Sequence, residues 1–286
     1  MDVRGFLAAA EARGWLRRVD VTVDPHLELA RVVHAMGEEP VVFGSVKGWD
    51  GPVVAGLCAR RQHLSLGLGI ATEDLLPALL RALRAPIAPS VVDAAPCQEV
   101  VVEGKDVDLA RLPIVTHFEG DGGPYVTAGV AVINDPDLGR NLSYHRLMRV
   151  GRRCFTARLV EGRGAHRAWG KVGGDLPMAV CIGAPLAVQL AAAMSPAPGV
   201  DEMGIANALR PVPTVRAVGS DLFVPAETEI VLEGRLTHDL GDEGPFVDLT
   251  QTRDIVRQQP FFVVDRITHR RDPIYAATLV GIPPME

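Results

Sequence analysis

From about residue 97 to about residue 275 the sequence breaks repeatedly into short β-branched runs. They are QEVVVEG, YVTAGVAVIND, CFTARLV, MAVCIGA, TVRAVGSDLFV, TEIVLEGRL and FFVVDRITHR, and turn residues (ND-PD-LG, EG-RG, VPAE) separate most of them. Many short strands in one block, with a single clear helix among them, predict a small barrel or sandwich. That helix lies in the one stretch without charge, Leu176 to Val200. Pro185 and Gln189 interrupt this stretch, so it reads as a strand (MAVCIGA), a helix with Pro185 in its first turn (PLAVQLAAAM) and a loop (SPAPG), not as a membrane span.

The first part of the chain has a different character. Residues 3–13 suit a helix ended by Gly14, LRRVDVTV alternates as a strand, and Pro25 opens a second helical pattern reaching Met36. PVVFGSV and PVVAGL are strand-like runs separated by the turn KGWDG, and LLPALLRALRA is helical. Pro86, Pro89 and Pro96 then read as a linker. The expected organisation is α+β. A mixed α/β subdomain and its linker occupy residues 1–96, a split β-barrel occupies 97–275, and 276–286 begin a further linker.

Composition narrows the partners. The chain has 286 residues, of which 48% are hydrophobic and 22% charged, the profile of a folded domain. A formal net charge of −6 provides no basic field for nucleic acid or an anionic membrane. Cys58, Cys97, Cys154 and Cys181 are far apart and form no CxxC pair, which argues against zinc knuckles and for a reduced, cytoplasmic setting.

A few polar residues stand out in apolar strand territory. Asn141, Ser143 and Arg146 lie in NLSYHR, where 141 and 143 share a strand face. Arg146 would face the other way unless the strand twists or bulges. His166 falls in the Gly-rich turn GRGAHRAWG, and Glu202 follows the uncharged helix. Glu243 and Asp248 stand five apart in DLGDEGPFVD, on a Gly-Pro loop, where paired carboxylates can divide acid and base roles. Each also has a plain structural reading, as an Asx turn, a surface guanidinium, an exposed imidazole or a solvated acidic turn. The GDGG at 120–123 lacks the frame of a phosphate-binding loop and reads as a turn.

With these residues in view, the chain resembles the UbiD family of decarboxylases. PVVFGSVKGWDGPVVAG resembles its N-terminal strand–turn–strand, LPIVTHFEGDGGPYVTAGVAVINDPDLGRNLSYHR the entry to its cofactor domain, and VPAETEIVLEGRL with DEGPFVD its catalytic stretch. The resemblance implies prenylated FMN as cofactor, supplied by a flavin prenyltransferase, with Mn²⁺ (or Mg²⁺) and K⁺. It puts the metal ligands on Asn141, His166 and Glu202, cofactor contacts also on Ser143, Arg146 and Met194, and the catalytic triad on Arg146, Glu243 and Asp248. A mixed amide, imidazole and carboxylate set suits such a cation. The implied reaction is the reversible, non-oxidative decarboxylation of an aromatic or α,β-unsaturated acid through a covalent adduct with the cofactor, which acts as the electron sink. If Arg146 pairs with Glu243, Glu243 stays ionised and Asp248 becomes the expected proton donor.

Family members continue into a C-terminal domain that covers the site and often takes part in oligomerisation, and the sequence stops where the linker to it should begin. The expectation is a piece of a longer decarboxylase, a homo-oligomer at full length. The alternatives are a subunit of a heteromeric decarboxylase and a non-catalytic flavin- or nucleotide-binding split-barrel module. A metal-dependent hydrolase without flavin also stays open.

Overall fold

The computed structural model describes residues 1–281, and the last five positions of the expected linker lie outside the described residues. The architecture is α+β. At the N-terminal end a four-stranded sheet is built from Arg17–Val19, Val41–Phe43, Val53–Ala55 and Tyr275–Ala276. Helices α1 (Val3–Glu11), α2 (Glu28–Met36), α3 (Arg61–Leu68) and α4 (Leu75–Arg84) belong to the same half of the chain. Asp2 caps α1, its carboxylate accepting the Gly5 amide at 2.9 Å. The two runs flanking KGWDG pair antiparallel, Val41 opposite Ala55. The RQHLSLGL helix has little apolar periodicity and could not be read from the sequence.

The β-rich part forms a nine-stranded sheet. Its hydrogen-bonded path runs from the edge strand Tyr125–Val126 through Leu147–Arg149, Cys154–Ala157, Arg257–His269, Ile230–Glu243, Leu176–Ile182 and Gly129–Asp135 to Gly139–Tyr144, with Val100–Glu103 added alongside Arg257–His269. Neighbours pair antiparallel throughout. Strands Gly129–Asp135 and Leu176–Ile182 and the first residues of Ile230–Glu243 are buried on both faces, and their period-two alternation divides the core. Ala131, Ile133, Met178, Val180, Ile230 and Leu232 join one cluster with Phe6, Phe43, Phe155 and Phe262. Val130, Val132, Ala179, Cys181 and Val231 join the other, with α6 (Leu186–Ala192) and α7 (Glu202–Leu209). Burial is why the strand and helix of the Leu176–Val200 stretch carry no charge, and the stretch resolves into strand, helix and loop at Leu176–Ile182, Leu186–Ala192 and 193–200. Pro185 sits at the N-cap of α6, just outside its first turn.

Two differences from the sequence reading matter for the site. The β-rich block contains three helices, not one, because GRGAHRAWG folds as α5 (Gly164–Lys171) and the residues after SPAPG fold as α7. The two halves of the chain also share strands. Val91–Val92, in the proline-rich segment, pairs with Thr214–Val215, and Tyr275–Ala276 returns to pair with Val53–Val54. A buried carboxylate reinforces this join. Glu229 accepts two hydrogen bonds from Arg4 at 2.8 Å each and lies 3.4 Å from Arg270. Among the described residues no helix is long and apolar enough to cross a membrane.

Candidate active site

The strand Gly139–Tyr144 ends before Arg146, and the break decides where the guanidinium goes. The His145 imidazole is fixed by two hydrogen bonds: Nδ1 donates to the Arg158 carbonyl at 2.9 Å, and Nε2 accepts from the Ser143 hydroxyl at 2.9 Å. The Arg146 carbonyl accepts the Arg158 amide at 3.1 Å. Released from strand alternation, Arg146 turns to Glu243, the last residue of Ile230–Glu243. Its Nε and Nη2 donate to Oε1 at 2.8 Å and Oε2 at 2.9 Å. Nη2 donates a further bond to Asp254 Oδ2 at 2.7 Å, and the guanidinium carbon lies 4.8 Å from the centre of the Phe246 ring. Glu243 is fully buried. The Tyr125 hydroxyl stands 3.3 Å from Glu243 Oε1, and burial pushes that phenol's pKa up. Such a bidentate, desolvated pair fixes the plane of the guanidinium.

The loop after Glu243 is held from the opposite side by the GDGG turn. Gly244 takes φ +100°, which suits glycine, and the Gly244–Pro245 peptide is cis. The Gly122 amide donates to the Pro245 carbonyl at 2.7 Å, and a Cβ at residue 122 would overlap the Gly244 carbonyl oxygen. Asp121 accepts the amides of Val247, Phe118 and His117 at 3.1, 3.0 and 3.2 Å. Burial holds its carboxyl above the usual range despite these donors. GDGG is thus a turn whose work is to clamp the Glu243 loop.

Asp248 is placed differently from its two expected partners. Its Oδ1 accepts from the Thr250 amide at 2.9 Å and from the Thr250 and Thr252 hydroxyls at 2.5 and 3.3 Å, in a turn at the end of the ribbon Phe246–Val247/Arg253–Asp254. Against the effect of burial, the Thr250 and Thr252 bonds hold its carboxyl below the usual range. The carboxylate that joins Arg146 and Glu243 in this conformation is Asp254, which the sequence did not single out. It reaches Arg146 because Asp254 pairs directly with Phe246. Against burial, the hydrogen bonds from Arg257 and Arg146 hold it down to about 2.

The expected metal ligands are brought together in part. Asn141 Nδ2 donates to Glu202 Oε1 at 3.1 Å, and the other Glu202 oxygen accepts the Leu142 amide at 2.9 Å. Asp201 positions Glu202 by capping α7 through the Met203 amide at 2.9 Å and by binding Arg140 through two bonds of 3.0 and 2.5 Å. Desolvation raises the Glu202 carboxyl's pKa. His166 lies in the first turn of α5, not in a free turn, and its Nδ1 accepts the Gly162 amide at 3.4 Å. Gly164, two residues before it, packs against the Asn141 amide. Lys171, at the far end of α5, anchors the helix to Asp135 at 2.7 Å and Asp137 at 2.9 Å. Met194 is half-buried just beyond α6, its amide bonded to the Ala191 carbonyl at 3.1 Å. No cluster of three His, Cys, Asp or Glu side chains occurs among the described residues. The amide-containing set nevertheless fits a hard cation: Asn141 Oδ1 is buried without a hydrogen-bond donor, beside a desolvated carboxylate.

Sequence models of two domains match in series. Residues 7–83 match the N-terminal domain of 3-octaprenyl-4-hydroxybenzoate carboxy-lyase, and residues 90–283 match its Rift-related domain. The chain belongs to the UbiD family. Among solved UbiD-class structures, the enzyme HmfF from Pelotomaculum thermopropionicum, in complex with prFMN, superposes with a TM-score of 0.94 at 35% identity, over 99% of this chain and 68% of that one. The vanillic acid decarboxylase of Sedimentibacter hydroxybenzoicus in its closed form gives 0.94 at 30% identity, over 99% and 65%. Apo 3,4-dihydroxybenzoic acid decarboxylase from Klebsiella pneumoniae gives 0.87 at 28% identity, over 96% and 64%. This UbiD-family chain therefore spans about two thirds of the length of the structures it matches.

Proposed function

We propose that this chain carries the cofactor and catalytic residues of a UbiD-type carboxy-lyase acting on an aromatic or α,β-unsaturated carboxylic acid. The observation that carries the reading is the buried, bidentate Arg146–Glu243 pair, set just past the end of the Gly139–Tyr144 strand whose Asn141 meets Glu202. An ion pair this desolvated adds little net stability compared with an apolar pair, so its presence points to use. The prFMN-bound relative supports the choice of cofactor.

Asn141 and Glu202, with His166 on the adjoining helix, would hold Mn²⁺ or Mg²⁺ against the cofactor phosphate, with K⁺ near Met194. When bound, the flavin supplies the electron sink that carbon–carbon cleavage needs. The chain's own residues then have separable tasks. Arg146 presents a fixed positive charge to the substrate carboxylate, Glu243 fixes its plane, and Tyr125 and Phe246 keep water from the pair. Asp248 is the proposed proton donor to the vacated carbon. Delivery from Asp248 requires the 248–252 turn to rearrange and its carboxyl to take up a proton away from the Thr250 and Thr252 donors. The rest of a longer polypeptide, a second copy or a partner subunit would close over this face.

The test is expression with a flavin prenyltransferase, followed by the visible spectrum, metal analysis and CO₂ release from a panel of aromatic and cinnamic-type acids. Flavin and Mn²⁺ retained by the wild type and lost from Asn141→Ala and Glu202→Gln supports the reading. Flavin retained equally by all three removes the metal site from it.

A further inference from the structure

Arg146 has five N–H donors, and their present use is uneven. Nε donates to Glu243 Oε1, and Nη2 divides its two hydrogens between Glu243 Oε2 and Asp254 Oδ2. Among the described residues, Nη1 is the nitrogen with no bond to an acid. A substrate carboxylate that binds this guanidinium through two parallel bonds needs a pair of adjacent donors. The Nε/Nη2 edge belongs to Glu243, which is fully buried, while the Nη1/Nη2 edge is half taken by Asp254, whose side chain keeps 20% of its surface exposed. The groups facing Arg146 are thus Glu243, Asp254, the Tyr125 phenol beside Glu243 and, without a hydrogen bond to it, the Asp121 carboxyl of the GDGG turn, with Arg257 on the far side of Asp254. Arg146 and Arg257 balance the two carboxylates bonded to them, and with Asp121 also nearby a substrate carboxylate would add negative charge that nothing compensates.

We infer that Asp254 is a resident carboxylate that holds the substrate arm of Arg146 until a substrate carboxylate displaces it. This rests on the reading of Arg146 as the substrate's anchor. Displacement leaves Asp254 a partner, since Arg257 Nη1 and the Ile255 amide both donate to Oδ1 and not to the oxygen that Arg146 uses. Asp254 can therefore rotate off Arg146 without becoming an unpaired charge. Its position is set by the short ribbon, so release of Oδ2 is coupled to the segment bearing Leu249, Ile255 and Val256, all of them exposed apolar side chains. Asp254 is a positioning residue that sets carboxylate affinity, distinct from the proton donor.

The test uses benzoate as the probe and benzamide as its neutral counterpart, titrated by calorimetry at pH 7 into the wild type, Asp254→Asn, Asp254→Ala and Arg146→Gln. Exchange of one charge-assisted hydrogen bond sets the scale, so loss of the competing carboxylate should tighten benzoate about tenfold (about 1.4 kcal/mol) and leave benzamide unchanged. Asp254→Ala is the second variant should the amide retain the Arg146 contact. Benzoate affinity that is unchanged or weaker in both Asp254 variants, but abolished in Arg146→Gln, overturns the role of Asp254 and leaves the anchor standing. Benzoate binding that survives Arg146→Gln overturns the anchor as well.

Discussion

Glu243→Gln removes one charge from the most deeply buried ion pair at the site and leaves the volume nearly unchanged. Removing one partner of a buried pair costs about 3–5 kcal/mol, because the other charge stays desolvated. Arg146 keeps its 2.7 Å bond to Asp254, and the glutamine carbonyl replaces one of the two acceptors, so the expected loss is about 2–3 kcal/mol. For a chain of this size that corresponds to a fall of roughly 3–5 °C in Tm. The assay is urea and thermal unfolding followed by circular dichroism, with Arg146→Met, Glu243→Leu and their double variant completing a cycle. Arg146→Met strands the Glu243 carboxylate and Glu243→Leu leaves Arg146 with Asp254 as its one acidic partner, whereas the double variant removes both charges of the pair. It should therefore recover most of the loss, giving a coupling of about 2 kcal/mol or more. A Glu243→Gln protein within about 0.5 kcal/mol of the wild type, with no coupling in the cycle, would refute the argument that this pair is desolvated and mutually dependent.

Gly122→Ala should push the Glu243 loop off the GDGG turn, costing about 1–3 kcal/mol and lowering turnover of the cofactor-loaded protein. Unchanged stability and turnover would show that the clamp is dispensable. Asp248→Asn should retain flavin and still release CO₂ from bound acid while failing to complete turnover, and normal turnover would remove Asp248 as proton donor. Burial pushes the His117 imidazole down to about 4, from an ordinary value near 6.5. The unfolded chain therefore binds the proton first, and the stability contributed is whole above about pH 6.5 and lost as pH falls towards 4, by up to roughly 3 kcal/mol. Burial lowers His145 and His63 in the same direction. Urea midpoints from pH 7.5 to 4.5 should fall steeply in the wild type and less in His117→Gln. Parallel profiles would place the acid sensitivity elsewhere.

The strand-rich half was legible because β-branched runs recur between turn residues, and in residues 129–133 and Leu176–Ile182 near-complete burial leaves those runs uncharged. The same reasoning failed for α5, since GRGAHRAWG has too many glycines to announce a helix. What makes it one is its packing on Asn141 and the anchoring of Lys171 by Asp135 and Asp137. At the site, period two gives Arg146 the face opposite Asn141 and Ser143 unless the strand is interrupted, and the strand ends before Arg146, which turns to Glu243. Asp254 left no signal in spacing. It enters through a two-residue ribbon that opposes it to Phe246, a register fixed by backbone pairing and by the Asp121 clamp.

The most direct measurement of the central claim is exchange of ¹³C-labelled CO₂ into the carboxyl group of a substrate acid by the cofactor-loaded protein, read by NMR. Exchange requires the carbon–carbon bond to break and re-form at the site but no net turnover. The account predicts exchange in the wild type, its loss in Arg146→Gln, and its retention in Gly170→Ala, where an added methyl group meets open space. Exchange that persists undiminished in Arg146→Gln would contradict the assignment of the buried Arg146–Glu243 pair as the reacting centre.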